Sequence, residues 1–368
     1  LHVNQTISQD SPEEKTQHRF LWIDGLRGLA AISVTSFHFY HAGPLYESLS
    51  KIFPSTIDFI LKHGWLGVEV FFVISGFVIA YSLREAQITF ALLCNFTLRR
   101  FLRLSPPYWM TIFLVILINF ASNLILTDRT TPLPSIDVIV AHAFYLQNIL
   151  GMDDIVPVFW TLCLEIQFYL VLMILLGISQ KLIAKQKTLF QFLTDAVFWG
   201  LAVGSVLEAI SVGEAMRSFF FPYWYAFFMG VLARWTLEKK AYTIWFWLYI
   251  GTITLFLIIR WDDRLFVTLI TGLSLYGLIH YQQFQYWFTS DWQQYLGKIS
   301  YSLYLIHLLT GMRMINIGYR LTGNSSIMSF IWFISALVIS IFSAHLFYIL
   351  IEKPSLYFSR RISLKINS

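Results

Sequence analysis

IDGLRGLAAISVTSFHFYH, residues 23–41, decides how the rest of the chain is read. The stretch is apolar enough to enter a bilayer, yet it carries Asp24, Arg27, His38 and His41. Ionisable side chains inside a spanning segment are costly, and by default they mark function. Arg27 and His38 are eleven residues apart. That is close to three turns, so they share one helix face about 16 Å apart along its axis. A cation low on a stripe and an imidazole high on the same stripe can link events at two depths. A plainer account also stands: Asp24 pairs with Arg27 at i, i+3 near water, and His38 snorkels to the other interface.

Composition extends this to the whole molecule. Of 368 residues, 57% are hydrophobic and only 13% are charged, where a soluble domain carries about 25%. The mean hydropathy is +0.63. The chain therefore reads as an all-α, polytopic integral membrane protein of about ten transmembrane helices. They are expected near 22–42, 64–83, 106–126, 157–178, 195–212, 217–236, 242–259, 263–282, 297–317 and 327–351. Residues 1–20 read as a polar tail without a signal-peptide pattern. Residues 21–354 read as one membrane domain, and 355–368 as a basic tail. Within the loop at 127–156, Ile136, Val140, Ala143 and Phe144 fall on one stripe, which predicts a short interfacial helix.

Of the 26 lysines and arginines, 17 fall on the side of the N-terminus and 8 on the other, with Arg27 inside the first helix. The positive-inside bias predicts that both termini are cytoplasmic. The net charge of +5 is small and dispersed, which argues against nucleic acid. Cys94 and Cys163 lie near different expected faces, and no zinc-type spacing occurs, so neither a disulfide nor a metal is expected.

Topology assigns each ionisable residue a depth. His38 lies about 24 Å along the first helix, Glu69 about 8 Å into the second and Glu165 about 12 Å into the fourth. All three fall in the outer half. A carboxylate on one imidazole nitrogen would orient the ring and leave the other nitrogen free for a proton. Capping of backbone or pairing with outer arginines are the alternatives for Glu69 and Glu165. His307, about 15 Å into the ninth helix, reads as a core histidine or as a second polar ligand. On the inner side, Arg99, Arg100 and Arg103 cluster within five residues before the third helix. Guanidinium forks suit phosphate; positive-inside anchoring is the bland alternative.

These pieces occur in a familiar order: IDGLRGLAAISVTSFHF, GVEVFFVISGFVI, RRFLRLSPPYW, FWTLCLEIQFY, SYSLYLIHL and IEKP. Together they resemble the membrane-bound acyltransferase-3 family from about Trp22 to Pro354. The resemblance implies transfer of an acyl group, usually acetyl, from cytoplasmic acyl-CoA to a hydroxyl of a carbohydrate or other acceptor. It implies a bacterial inner membrane, His38 as catalytic histidine, Arg27 as its companion, and Arg100 and Arg103 as the inner arginines. Glu165 matches the acid of a Trp-x4-Glu pattern. Acetyl-CoA would be a co-substrate, its phosphates near Arg27, Arg99, Arg100 and Arg103. His38, oriented by Glu69 or Glu165, would act as base or as transient acyl carrier. Some relatives carry an extracytoplasmic SGNH-type hydrolase domain. The expectation here is a stand-alone form that acts on its acceptor or passes the acyl group to a separate extracytoplasmic protein. A transporter or flippase for a polar substrate is the alternative, though no inverted repeat is visible. A non-enzymatic membrane scaffold would explain the composition but not the placement of charge.

Overall fold

The computed structural model describes residues 21–41, 43–84, 86–125, 131–211, 219–281, 286–323 and 325–363. The expected tail at 1–20 and residues 364–368 lie outside these, as do Lys15, Arg19, Arg129, Arg217 and Lys365 of the charge census. Among the described residues the protein is all-helical. The helices are α1 (Leu21–Tyr40), α2 (Tyr46–Leu49), α3 (Ser55–Lys62), α4 (Gly67–Ser82), α5 (Phe90–Ile125), α6 (Ile136–Ala143), α7 (Trp160–Lys185) and α8 (Lys187–Ser211). They continue as α9 (Trp224–Trp235), α10 (Lys240–Ile259), α11 (Asp263–His280), α12 (Asp291–His307), α13 (Arg313–Thr322), α14 (Ser326–Phe347) and α15 (Lys353–Arg360).

Among the described residues, six helical stretches are long and apolar enough to cross a membrane: Gly64–Ser82, Phe90–Ile125, Trp160–Ala184, Gln191–Ser211, Lys240–Ile259 and Ser326–Arg360. Several turn large apolar side chains outward. Phe113, Leu117 and Leu124 of α5, Leu255 and Ile258 of α10, and Val338 and Phe342 of α14 are exposed. With water around it such a surface would aggregate, whereas lipid tails cover it at no cost. The protein is accordingly an integral membrane protein. The remaining expected segments are helical too, but they are short or carry polar groups. α1 holds Asp24, Arg27 and His38, and α9 has 12 residues, nearly all buried. Neighbouring helices surround α9, whereas Phe266 and Ile270 of α11 and Ile317 of α13 remain exposed.

Two interfaces place the interior helices. α1 lies on α12 through Gly28 and Gly297, with Gly25 against Phe288 just before α12; a Cβ added at Gly297 would stand 2.0 Å from the backbone oxygen of Asp24. α4 lies on α9 in the same manner, a Cβ at Gly76 falling 1.8 Å from the Phe227 carbonyl oxygen. Small residues let helix backbones approach where lipid provides no hydrophobic drive. Around α4 and α9 a large aromatic core forms, with Phe168 and Phe227 stacked at 4.0 Å between centroids. A second core joins α1, α5, α7 and α12.

Two expected boundaries differ. The third span was expected near 106–126, with the arginine cluster just before it. Instead α5 begins at Phe90 and runs through Pro106 and Pro107, so the three arginines lie on the helix and not before it. Near the proline step, Tyr301 Oη of α12 donates to the Leu104 carbonyl at 2.7 Å, and Thr111 Oγ1 of α5 itself donates to that of Pro107 at 2.9 Å. At the other end, α14 passes through a π-helical turn, Tyr348–Glu352, into α15, so helix extends through Arg360. The short helix predicted beyond α5 is α6, with Ile136, Val140 and the adjoining Phe144 exposed, and with Ala141 and His142 buried against the bundle.

Candidate active site

α1 carries chemistry at both ends, and a cavity opens at each. At its start, Arg27 joins Arg100 and Arg103 of α5, Ser75 of α4, and Glu165 and Tyr169 of α7 around a space of about 290 Å³. Arg100 and Arg103 share a side because a three-residue step returns most of a helical turn. Arg100 lies over the Tyr169 ring at 4.9 Å and the Phe96 ring at 5.3 Å, a packing that suits a planar guanidinium. Arg99 does not line this cavity; it lies one turn nearer the helix start than Arg103, with Arg100 and Arg360 as its charged neighbours. Asp24 pairs with Arg27 at 3.7 Å, as the i, i+3 spacing suggested.

Glu165 belongs to this arginine cavity. Its Oε1 accepts from Ser75 Oγ at 2.8 Å and from the Tyr169 hydroxyl. Behind Arg27 and Arg103 stands Glu352, which the motif IEKP contains but to which the sequence assigned no role. It is buried and accepts from the Ser302 backbone N–H at 3.1 Å and from Ser302 Oγ at 2.5 Å. Arg27 and Arg103 are its cationic neighbours. A buried carboxylate needs such hydrogen bonds and counter-charges to remain inside a protein.

Near the other end of α1, His38 lines a second cavity of about 620 Å³ with Trp65, Glu69, Trp160, Tyr223 and Arg264. Glu69 is buried, and its Oε2 has no hydrogen-bond partner among the described residues. Arg264 is held by Asp262 at 2.9 Å and donates to the Ala209 carbonyl at 2.8 Å. Aromatic faces beside fixed charges form a surface on which a polar, ring-shaped ligand can lie.

The expected carboxylate–imidazole pair is absent among the described residues. Glu69 shares the cavity with His38 without bonding to its ring, and Glu165 lines the other cavity. The ring's partners are the Val34 carbonyl, 2.9 Å from Nδ1, and His307 Nε2, 3.1 Å from the same nitrogen. His307 is fully buried and is held in turn by the Leu303 and Tyr304 carbonyls, 3.0 and 2.8 Å from its Nδ1. The sequence left His307 open between a core residue and a polar ligand, and linear spacing holds no signal for the pairing. The close α1–α12 contact creates it.

The two cavities share lining residues, Val68 of α4 and Tyr304 of α12. Tyr304 is pinned there: its hydroxyl meets Thr161 Oγ1 at 2.7 Å and donates to the Val158 carbonyl at 3.0 Å. The arginine cavity and the histidine cavity thus share part of one wall.

The chain is similar to known proteins. A protein of Staphylococcus aureus (strain COL) that bears the name "Putative O-acetyltransferase" is 29% identical over 198 residues, 50% of this chain and 29% of its own. The peptidoglycan O-acetyltransferase OatA of Listeria monocytogenes serovar 1/2a is 28% identical over 158 residues, 40% of this chain and 23% of its own. This chain therefore spans less than a third of either relative. A protein of Acidianus two-tailed virus named "Putative acetyltransferase" is 24% identical over 311 residues, 77% of this chain and 81% of its own. No solved structure matches the chain. The acyltransferase domain, as a family, matches residues 20–349. That match covers all but the two ends, and the chain belongs to the acyltransferase-3 family.

Proposed function

We propose that the protein is a membrane O-acyltransferase. It takes an acyl group, acetyl in the first instance, from acyl-CoA at the arginine cavity and delivers it to a carbohydrate hydroxyl at the histidine cavity. The observation that carries this reading is the shared wall of Val68 and Tyr304 between the two spaces. Guanidinium groups suit the donor's phosphates. The aromatic faces around His38 suit a sugar ring. The names of the bacterial relatives support acetyl as the group and a cell-envelope polysaccharide as the acceptor. A separate extracytoplasmic acyl-accepting protein would serve the same chemistry.

In this reading about ten helices cross a bacterial plasma membrane. Both termini and the arginine cavity face the cytoplasm, in keeping with the lysine and arginine bias. The acceptor hydroxyl loses its proton to His38 and attacks the thioester carbonyl. A C–O bond forms, the C–S bond breaks, and the departing CoA thiolate takes up a proton. Glu165 orients the arginine side through Ser75 and Tyr169, and Glu69 lines the acceptor side with Arg264.

The test is transfer of labelled acetyl groups in membranes from cells that express the protein. His38→Ala should lower transfer about 10²- to 10⁴-fold, the range of a lost general base, with normal insertion. Transfer at the wild-type rate would retire His38. Arg100→Ala should raise the donor KM; an unaltered value would remove the phosphate role.

A further inference from the structure

We infer that His307 is a positioning residue that fixes the His38 ring in one tautomer, with the proton on Nδ1 and the lone pair of Nε2 turned to the acceptor cavity. The inference rests on the reading of His38 as the base and adds what sets its proton.

It follows from where acceptors stand. A carbonyl oxygen only accepts. Leu303 O and Tyr304 O both lie against Nδ1 of His307, so that nitrogen carries the proton. In the neutral ring, Nε2 of His307 is then a bare acceptor. It points at His38 Nδ1, 3.1 Å away, which also faces the Val34 carbonyl at 2.9 Å. Two acceptors converge on one nitrogen, so His38 Nδ1 must be the donor. The opposite assignment would set a lone pair against Val34 O, and another against the two carbonyls beside His307. Such clashes in a site this buried are costly. Nε2 of His38 has no protein partner among the described residues, and His38 lines the acceptor cavity. It is the nitrogen left to act.

The arrangement does the work of an acid behind a catalytic histidine, with a neutral group in place of a charged one. When Nε2 takes the acceptor's proton, the imidazolium keeps both Nδ1 contacts. The proton later leaves from Nε2 to the CoA thiolate, and the ring returns to its starting tautomer. His307 neither gains nor loses a proton. The other ionisable groups that face the His38 cavity are Glu69 of α4, Asp262, Asp263 and Arg264 at the start of α11, Tyr223 and Tyr304.

The tautomer can be read directly by nitrogen NMR of the full-length protein, labelled with [15N]histidine in lipid nanodiscs, with His38→Asn used to assign the signal. His38 should show a protonated Nδ1 and a bare Nε2 near neutral pH. A protonated Nε2 in the wild-type protein would overturn the inference, and it does so whether or not acyl transfer is observed. His307→Leu removes the acceptor and should lower kcat about 10- to 100-fold, less than loss of a full base, with the donor KM unchanged and the pH profile displaced. His307→Gln returns an acceptor oxygen near the same place and should recover most of the rate. Equal rates in the Leu and Gln variants, or a Leu variant with the wild-type rate and profile, would each overturn it. Loss of transfer in His38→Ala together with a protonated Nε2 would reject this inference alone.

Discussion

Val68 and Tyr304 face two cavities at once, each bordering both the arginine side and the histidine side. In the proposed reading, an acyl group that moves between the sides passes these residues. The passage is set by a valine that other apolar side chains can replace and by a tyrosine tied down by Thr161 and Val158. Val68→Phe adds volume to this layer, at a cost of about 1–3 kcal/mol in stability. Labelled acyl-CoA should still be retained by the variant while transfer falls at least about tenfold. Loss of donor retention in step with transfer would show that the wall does not divide binding from delivery.

Glu352 holds its place by accepting twice from Ser302, beside two arginines. Glu352→Gln removes the charge and one acceptor oxygen. The expected cost is about 1–3 kcal/mol, the range for a buried charged hydrogen bond. Thermal unfolding in detergent should fall accordingly, and the donor KM should rise because Arg27 and Arg103 lose their counter-charge. Unchanged values of both would show that Glu352 has no hold on the arginine cavity.

The α4–α9 contact leaves no room for a side chain at Gly76, where a Cβ would stand 1.8 Å from Phe227 O. Gly76→Val should destabilise by more than about 4 kcal/mol, because only backbone separation relieves the clash. Gly251 of α10 is the control, with nothing within 4 Å of its Cβ position. Gly251→Ala should be neutral or stabilise by up to about 1 kcal/mol through helix propensity. Yield of folded protein by size-exclusion chromatography separates the two, and a well-folded Gly76→Val would reject the close packing.

Asp58 ties α3 to α1. It pairs with Lys62 at 2.9 Å and accepts from the Tyr40 hydroxyl at 2.5 Å. The bond to Lys62, and after it that to Tyr40, holds the Asp58 carboxyl below its usual 3.8. A lowered folded value means the tie is fully present above the ordinary aspartate range and is lost as pH falls through the lowered one. Hydrogen exchange across 55–62 should therefore show no loosening of this tie at neutral pH and a rise only below about pH 4. Asp58→Asn should produce the same rise at neutral pH, and slow exchange in that variant would remove the tie from the account.

Hydrophobicity found the long helical segments, because burial in lipid selects composition locally, but not the short α2 and α3 or the final helix α15. It could not separate helices that face lipid from helices inside the bundle. α9 and α12 read as spans like any other, yet α9 is wrapped by α4, α8 and α11. The span expected at 106–126 missed the first turns of α5, which runs from Phe90 through Pro106 and Pro107. Arg99 looked equal to Arg100 and Arg103, and the cavity uses only the latter two.

By itself the sequence determined an all-helical membrane chain, the presence of Arg27 and His38 on one face, and the clustering of arginines at one end. Each follows from periodicity and from the cost of charge in an apolar segment, which are properties of a single helix. Only the tertiary structure decided which group meets His38. The two carboxylates in plausible positions along their helices went elsewhere, and His307 took the place. That choice depends on how closely α1 and α12 approach, through glycines on both, and such contact between helices 269 residues apart in the chain has no local signature.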